Sequence, residues 1–237
     1  MTGYETISQG EIEERALNKE SSSGSGERET IEQAVSDYYS NKLKEHGATH
    51  QGVDWNSTES QELRFKQLLK VVQQCKNNTY TLNDFGCGFG SLYGYMKSNY
   101  DNSFAYFGYD VSQSMIEEAV SMYGESATHS FITGSELQMA DFSVASGIFN
   151  VRNQFNDEQW KQYIFGCIDK MNNASRKGFS FNMLTSYSDK DKCRDYLYYA
   201  NPCEFFDYCK LNFSRNVALL HDYDLYEFTI IVRKQLS

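Results

Sequence analysis

The stretch LNDFGCGFGSLYGYM, residues 82–96, sets three glycines, a cysteine and an acid between an apolar run and a helix. Glycine is costly inside regular structure, yet it permits positive φ and leaves no Cβ in the way of a ligand. A strand that ends this way exposes bare main chain. The helix behind it aims unpaired N–H groups at the same place. The reading of the whole chain turns on what lies against residues 86–90 and on which other residues match it.

On either side of this seam, strand and helix patterns alternate. Tyr80–Asp84 reads as a strand and Ser91–Ser98 as a helix. Phe104–Asp110 is a second strand, followed by a helix over Ser112–Tyr123 with Ser112 as its cap. His129–Thr133 and Phe142–Phe149 are strands, and Asp157–Met171 is a helix with Trp160, Ile164, Cys167, Ile168 and Met171 on one face. Gly178–Met183 is a strand. Asn201 and Pro202 supply a cap and a first-turn proline for a helix to about Phe213. Val217–His221 and Tyr226–Arg233 close the chain as strands. Strands alternating with helices predict a parallel α/β sheet. The last two strands are joined too closely for a parallel crossover of about a dozen residues, so one strand is reversed.

Two helices precede the first strand. Ile31, Ala34, Val35, Tyr38 and Tyr39 recur at helical spacing from Glu29, and Gly47 ends the pattern. Ser57 or Thr58 caps a second helix to about Cys75, with Leu63, Phe65, Leu68, Leu69 and Val72 as its apolar residues. Residues 1–28 are polar and include SSSGSGE at 21–27, the composition of a disordered tail or linker. The expected division is that tail, a helical lid over 29–76, and a core domain over 77–237.

Composition narrows the function. Apolar residues make up 40% and aromatics 15%, which is globular. The net charge of −10, without a basic run, disfavours nucleic acid as a partner. The six cysteines form no C-x-x-C pair and no metal-like spacing with the four histidines, so no metal site is expected and the thiols suit a reducing, cytoplasmic compartment. No apolar stretch is long enough to span a membrane.

The glycine spacing separates two nucleoside cofactors. Dinucleotide sites read G-x-G-x-x-G. Here Gly86, Gly88 and Gly90 are evenly spaced and Ser91 stands where the third glycine belongs. Asp84-x-Gly86-x-Gly88-x-Gly90 after a first strand, with Asp110 ending the second, instead resembles class I S-adenosylmethionine-dependent methyltransferases. The resemblance runs from about residue 30 to the end. It implies a Rossmann-like doubly wound sheet of seven strands with one antiparallel, an N-terminal helical lid, and S-adenosyl-L-methionine as cofactor.

The resemblance also implies roles by position. Asp84, Gly86, Cys87, Gly88 and Gly90 would lie along the methionyl and ribose part of the cofactor, and Asp110 with Val111 at the ribose. Ser135 and Glu136, after the third strand, are candidates for the adenine. Phe149 and Asn150, after the fourth, are candidates beside the sulfonium and the substrate. On the lid, Arg64 is a candidate for the cofactor carboxylate, a geometry suited to guanidinium, and Trp55 or Tyr39 for the ring or sulfonium face. A general base is not identified by position; Asn150 and His221 are the candidates carried forward, with Asp54 and Tyr226 as further neighbours. The tyrosine-rich insert at 187–206 is expected to select the substrate. The chain has no N/D-P-P-aromatic stretch after the fourth strand, which argues against a nucleobase of DNA.

The expected activity is methyl transfer to an oxygen or nitrogen of a small metabolite, such as a sugar or glycan precursor. A non-catalytic cofactor-binding regulator or subunit is the alternative, and a nicotinamide-dependent oxidoreductase a weaker one. The oligomeric state is not legible in the sequence.

Overall fold

A computed structural model describes residues 9–53, 57–75, 79–101 and 103–235. Helix α1 spans Gln9–His46, reaching further towards the N-terminus than the periodicity from Glu29. Helix α2, Thr58–Leu68, is capped by the Ser57 side chain and tightens into a 3₁₀ stretch over Leu69–Cys75. Then β1 (Tyr80–Phe85), α3 (Ser91–Asn99), β2 (Phe104–Asp110), α4 (Gln113–Tyr123), β3 (His129–Thr133) and β4 (Ala140–Ala145) follow in turn. The chain closes with α5 (Asp157–Asn173), β5 (Ser175–Leu184), α6 (Pro202–Asn212), β6 (Asn216–Leu220) and β7 (Glu227–Arg233).

The caps are those the sequence announces. Ser112 accepts from Met115 N at the head of α4, and Asn201 accepts from Cys203 N ahead of Pro202 in α6. At α5, Asn156 and Gln159 form a reciprocal capping box.

The seven strands lie in the order β3-β2-β1-β4-β5-β7-β6. All neighbours pair in parallel except β7, which is antiparallel to both β5 and β6. Strand order reverses between β1 and β4, because β2 lies on one side of β1 and β4 on the other. A crevice opens outside the carboxyl ends of strands at such a switch point.

Apolar residues cover both faces of the sheet. On one face Phe179, Phe181, Phe228 and Ile230 pack with Trp160, Ile164 and Ile168 of α5, and Ile31 of α1 joins them. On the other, Leu82, Tyr106 and Phe142 pack with Phe65 of α2, Leu92 and Met96 of α3 and Ile116 of α4. Helix α2 is thus part of the packed structure. Its Leu68 carbonyl accepts from Ser180 Oγ at 2.9 Å, deep in β5. Helix α1 is tied over the head of α4 by hydroxyls: Ser36 Oγ donates to Val111 O at 3.2 Å, and Ser40 Oγ lies 2.8 Å from Ser112 Oγ.

One boundary differs from expectation in a way that shapes the site. The apolar run at 142–149 predicts a strand to Phe149, but β4 ends at Ala145. Gly147, at φ 74°, turns the chain away, so Ser146–Asn150 form a loop at the carboxyl end of this central strand, beside the glycine seam.

Candidate active site

The seam at the end of β1 is held open by its neighbours. Gly86 N and Cys87 N both donate to Tyr109 O, at 2.7 and 2.9 Å, which folds the turn back on β2. Gly86 has φ 77°, and a Cβ built there would lie 2.1 Å from Ile148 Cγ2. Gly90, at φ 84°, would press a Cβ to 3.0 Å from the rings of Phe131 and Tyr123. Both positions need left-handed backbone and lack room for a side chain, which is why glycine stands there.

Asp110 faces this turn. Its Oδ2 accepts from Gly88 N at 2.9 Å and its Oδ1 from Ser112 N at 2.8 Å. Each carboxylate oxygen has a second lone pair left for a ligand. Burial pushes the Asp110 carboxyl up, and its two backbone donors oppose that. Asp84 is buried in β1 and accepts from Tyr106 Oη at 2.5 Å through Oδ2, while Oδ1 has no partner. Burial, with Asp110 nearby, raises its carboxyl to about 7. Cys87 is buried, and burial pushes its thiol well up, so it is not a thiolate.

These groups line one cavity, which encloses about 820 Å³ of atom-free space counted with its open mouth. Asp84, Gly86, Cys87, Gly88, Asp110 and Val111 are brought together there, while Gly90 of the same motif lies outside its wall. Helix α1 adds Val35 and Tyr39, α2 adds Gln61 and Phe65, and the β4 loop adds Ser146, Gly147 and Ile148. Among the described residues the lining carries two carboxylates and no lysine, arginine or histidine.

Other candidates lie elsewhere. Arg64 is not in the wall of this cavity. The buried carboxylate of Glu227 claims its guanidinium, with Nε to Oε2 at 2.8 Å and Nη2 to Oε1 at 2.6 Å. Glu227 Oε2 also accepts from Asn182 Nδ2 at 2.5 Å, and Asn182 Oδ1 accepts from Gly147 N at 2.8 Å. Ser135 and Glu136 are held by Lys170, whose ammonium donates to Ser135 Oγ at 3.1 Å and pairs with the Glu136 carboxylate; neither lines the cavity. Phe149 is fully buried against Phe181 in the core, and its carbonyl accepts from Trp160 Nε1. His221 packs its ring near Tyr187 and Phe228, outside this cavity. Trp55 and Asp54 fall outside the described residues.

A second cavity, with about 1440 Å³ of atom-free space counted with its open mouth, adjoins the first, and Tyr39, Val53 and Gly147 line both. Asn150 lines this one. Its Oδ1 accepts from Leu184 N at 3.1 Å, and its side-chain nitrogen Nδ2 makes no hydrogen bond with a described residue. The insert after β5 closes the far side with Lys192, Arg194, Tyr196 and Tyr199, and Tyr226 comes from the β6–β7 turn. Arg64 and Glu227 lie in this second wall.

Gln61, Ser146 and Ile148 were not singled out in the sequence. Gln61 is one polar residue on a mixed helix, and the β4 loop reads as strand. Among the described residues there is no cluster of metal-ligating side chains and no helix long and apolar enough to cross a membrane.

The arrangement fits an S-adenosyl nucleoside: bare main chain over 86–90, a carboxylate at the end of β2, and an unpartnered buried oxygen on Asp84. Comparisons with known proteins agree. No family model matches the chain. A Mycobacterium tuberculosis (strain ATCC 25618 / H37Rv) protein named "Putative methyltransferase Rv1506c" is 51% identical over 156 residues, which is 65% of this chain and 93% of that protein. Among solved structures, magnesium protoporphyrin IX methyltransferase from Synechocystis PCC 6803 with bound S-adenosylmethionine superposes with a TM-score of 0.55 at 11% identity. That match covers 88% of this chain and 97% of the other. The small RNA methyltransferase HEN1 superposes with a TM-score of 0.53 at 15% identity, over 74% of this chain and 25% of its own. The chain belongs to the class I S-adenosylmethionine-dependent methyltransferases. The two solved neighbours act by name on a porphyrin and on RNA, so the shared fold does not choose the acceptor.

Proposed function

We propose that the protein transfers the methyl group of S-adenosylmethionine to an oxygen or nitrogen of a small metabolite, such as a sugar or glycan precursor. The observation that carries this reading is the pair of adjoining cavities sharing Tyr39, Val53 and Gly147. The first suits the cofactor and the second the acceptor. The acceptor cavity is closed by the chain's own insert, as suits a small molecule. Its tyrosines offer flat apolar faces and hydroxyls together.

In the cofactor cavity, Gly86 and Gly88 give close main-chain approach, Asp110 accepts from ribose hydroxyls, and Asp84 presents its unpartnered oxygen. Cys87 and Val111 fill out the wall. Residues 29–76 act as the cover and 77–237 as the core. The bound cofactor supplies a methyl carbon already activated by positive sulfur. The chain's task is then alignment, which can supply roughly 7–11 kcal/mol of a barrier in favourable cases. Asn150 is assigned to hold the acceptor atom through its amide N–H, with its oxygen anchored on Leu184. A nucleophile that loses a proton needs an acceptor for it, and none of the described lining groups is assigned that role.

The test is incubation of the purified chain with methyl-labelled cofactor and, in parallel, a small-metabolite extract, a polysaccharide fraction and total RNA. Label in the metabolite fraction is the expected result. Label in RNA alone would overturn the acceptor assignment. Tight cofactor binding with no label anywhere would favour a non-catalytic subunit.

A further inference from the structure

The two cavities differ in charge. The described lining of the cofactor cavity holds two carboxylates and no cation. The described lining of the second holds Arg64, Lys192 and Arg194 against Asp224 and Glu227. Arg64 and Glu227 cancel in their buried pair. Lys192 and Arg194 then stand against Asp224 alone, an excess of one positive charge in a chain of net charge −10. Neither cation is tied to a strong partner. Arg194 donates through Nη1 to the main-chain carbonyls of Asp191 and Cys193, at 3.1 and 2.8 Å. Neutral carbonyls aim the guanidinium and leave its charge uncompensated. Lys192 lies 3.6 Å from the Asp191 carboxylate, and both side chains are exposed. Such a surface pair contributes little and opens readily.

The insert that carries both cations is fixed to the loop that carries Asn150. Tyr198 N donates to Asn150 O at 2.8 Å, and Arg152 N and Asn153 N donate to Tyr196 O at 3.0 and 3.1 Å. Arg194 N donates to Tyr199 Oη at 3.0 Å, which braces the cationic turn from within the insert. A charge held on this wall therefore sits at a set separation from Asn150. Tyr196 and Tyr226 line the same cavity with their rings partly exposed, and offer flat faces to the body of a ligand.

We propose that the acceptor carries an anionic group, a phosphate or a carboxylate, and that Lys192 and Arg194 bind it. This rests on the reading of the second cavity as the acceptor site, and narrows that reading from small metabolites to anionic ones. Guanidinium and ammonium hold either anion through charge-assisted hydrogen bonds. The net negative charge of the chain repels a polyanion, whereas a single anionic group needs only these two side chains.

The test has a binding arm and a turnover arm, both on the full chain. In the first, the chain saturated with S-adenosylhomocysteine is titrated with phenyl phosphate, benzoate and phenol, which share a ring and differ in the anion. Phenyl phosphate or benzoate is expected to bind at least about tenfold more tightly than phenol, and Lys192→Gln/Arg194→Gln is expected to erase that difference. Both side chains are exposed, and S-adenosylhomocysteine affinity within about twofold of wild type shows that the variant is folded. Equal affinity for all three probes, or a preference that survives in the folded variant, would overturn the assignment. In the second arm, a small-metabolite extract is split by anion exchange before incubation with methyl-labelled cofactor. Label is expected in the retained, anionic fraction. Phosphatase treatment of that fraction beforehand abolishes the label if the anion is a phosphate and spares it if the anion is a carboxylate. Label confined to the unretained fraction would overturn the proposal. Charge-selective binding with no label in any fraction would strike the methyl-transfer reading and leave the anion site standing.

Discussion

Arg64 and Glu227, 163 residues apart in the chain, meet in a buried two-point ion pair. The pair fastens α2 to the last strand of the sheet. Through Asn182 it continues to Gly147, the loop residue shared by both cavities. Two parallel N–H···O bonds fix both side chains in direction as well as distance.

Removing one partner of such a pair leaves the other charged and buried. Arg64→Met is therefore expected to cost about 3–5 kcal/mol of folding stability. The double variant Arg64→Met/Glu227→Met removes the stranded charge and should recover a large part of that loss. Urea denaturation of the wild type and the variants measures both. A loss in Arg64→Met under about 1 kcal/mol would show the pair to be screened by water.

The cradle's geometry makes a second expectation. Gly86→Ala forces a side chain into left-handed backbone, at about 1–2 kcal/mol, and drives a methyl into Ile148. Overpacking adds about 1–3 kcal/mol. Adding Ile148→Ala should return the packing part but not the backbone part. Thermal melts of the single and double variants separate the two costs. A Gly86→Ala chain as stable as wild type would mean that the turn is not held as described.

Asp84 makes stability depend on pH. Its carboxyl is raised to about 7 in the folded chain, against about 3.9 in an unfolded one. Between those values the folded state holds the extra proton, so the stability of the ligand-free chain falls as pH rises from about 4 to about 7. The Asp110 carboxyl, raised by burial, acts in the same direction. Asp84→Asn should flatten this slope in urea titrations at about pH 5 and about pH 8. The ionised form attracts a positive ligand, so S-adenosylmethionine should gain on S-adenosylhomocysteine over the same rise. A slope identical in wild type and Asp84→Asn would remove Asp84 from the account.

Much of the fold is legible in the sequence because its signals are local. Strands of apolar residues alternate with capped helices, and Ser112, Asn201 and Pro202 mark helix starts by side-chain chemistry alone. The glycine spacing and Asp110 are legible for the same reason: a turn without side chains and an acid at a strand end are each written in a few consecutive residues. The differences from expectation come where tertiary contacts decide. The run at 142–149 stays apolar beyond the strand because Phe149 fills the core from a loop. Ser135 and Glu136 are drawn away by Lys170, whose helix begins more than 20 residues later. Arg64 and Gln61 lie on one short helix and are both polar. Which one faces the cofactor cavity depends on Glu227, far along the chain.

The central claim is that bare main chain at 86–90, opposed by the Asp110 carboxylate, is where the cofactor binds. Calorimetric titration of wild type and Asp110→Ala with S-adenosylhomocysteine tests it most directly. The account predicts a single saturable site in the wild type, weakened by at least about tenfold in the variant, or about 1.4 kcal/mol. Equal affinity in the two proteins would contradict it.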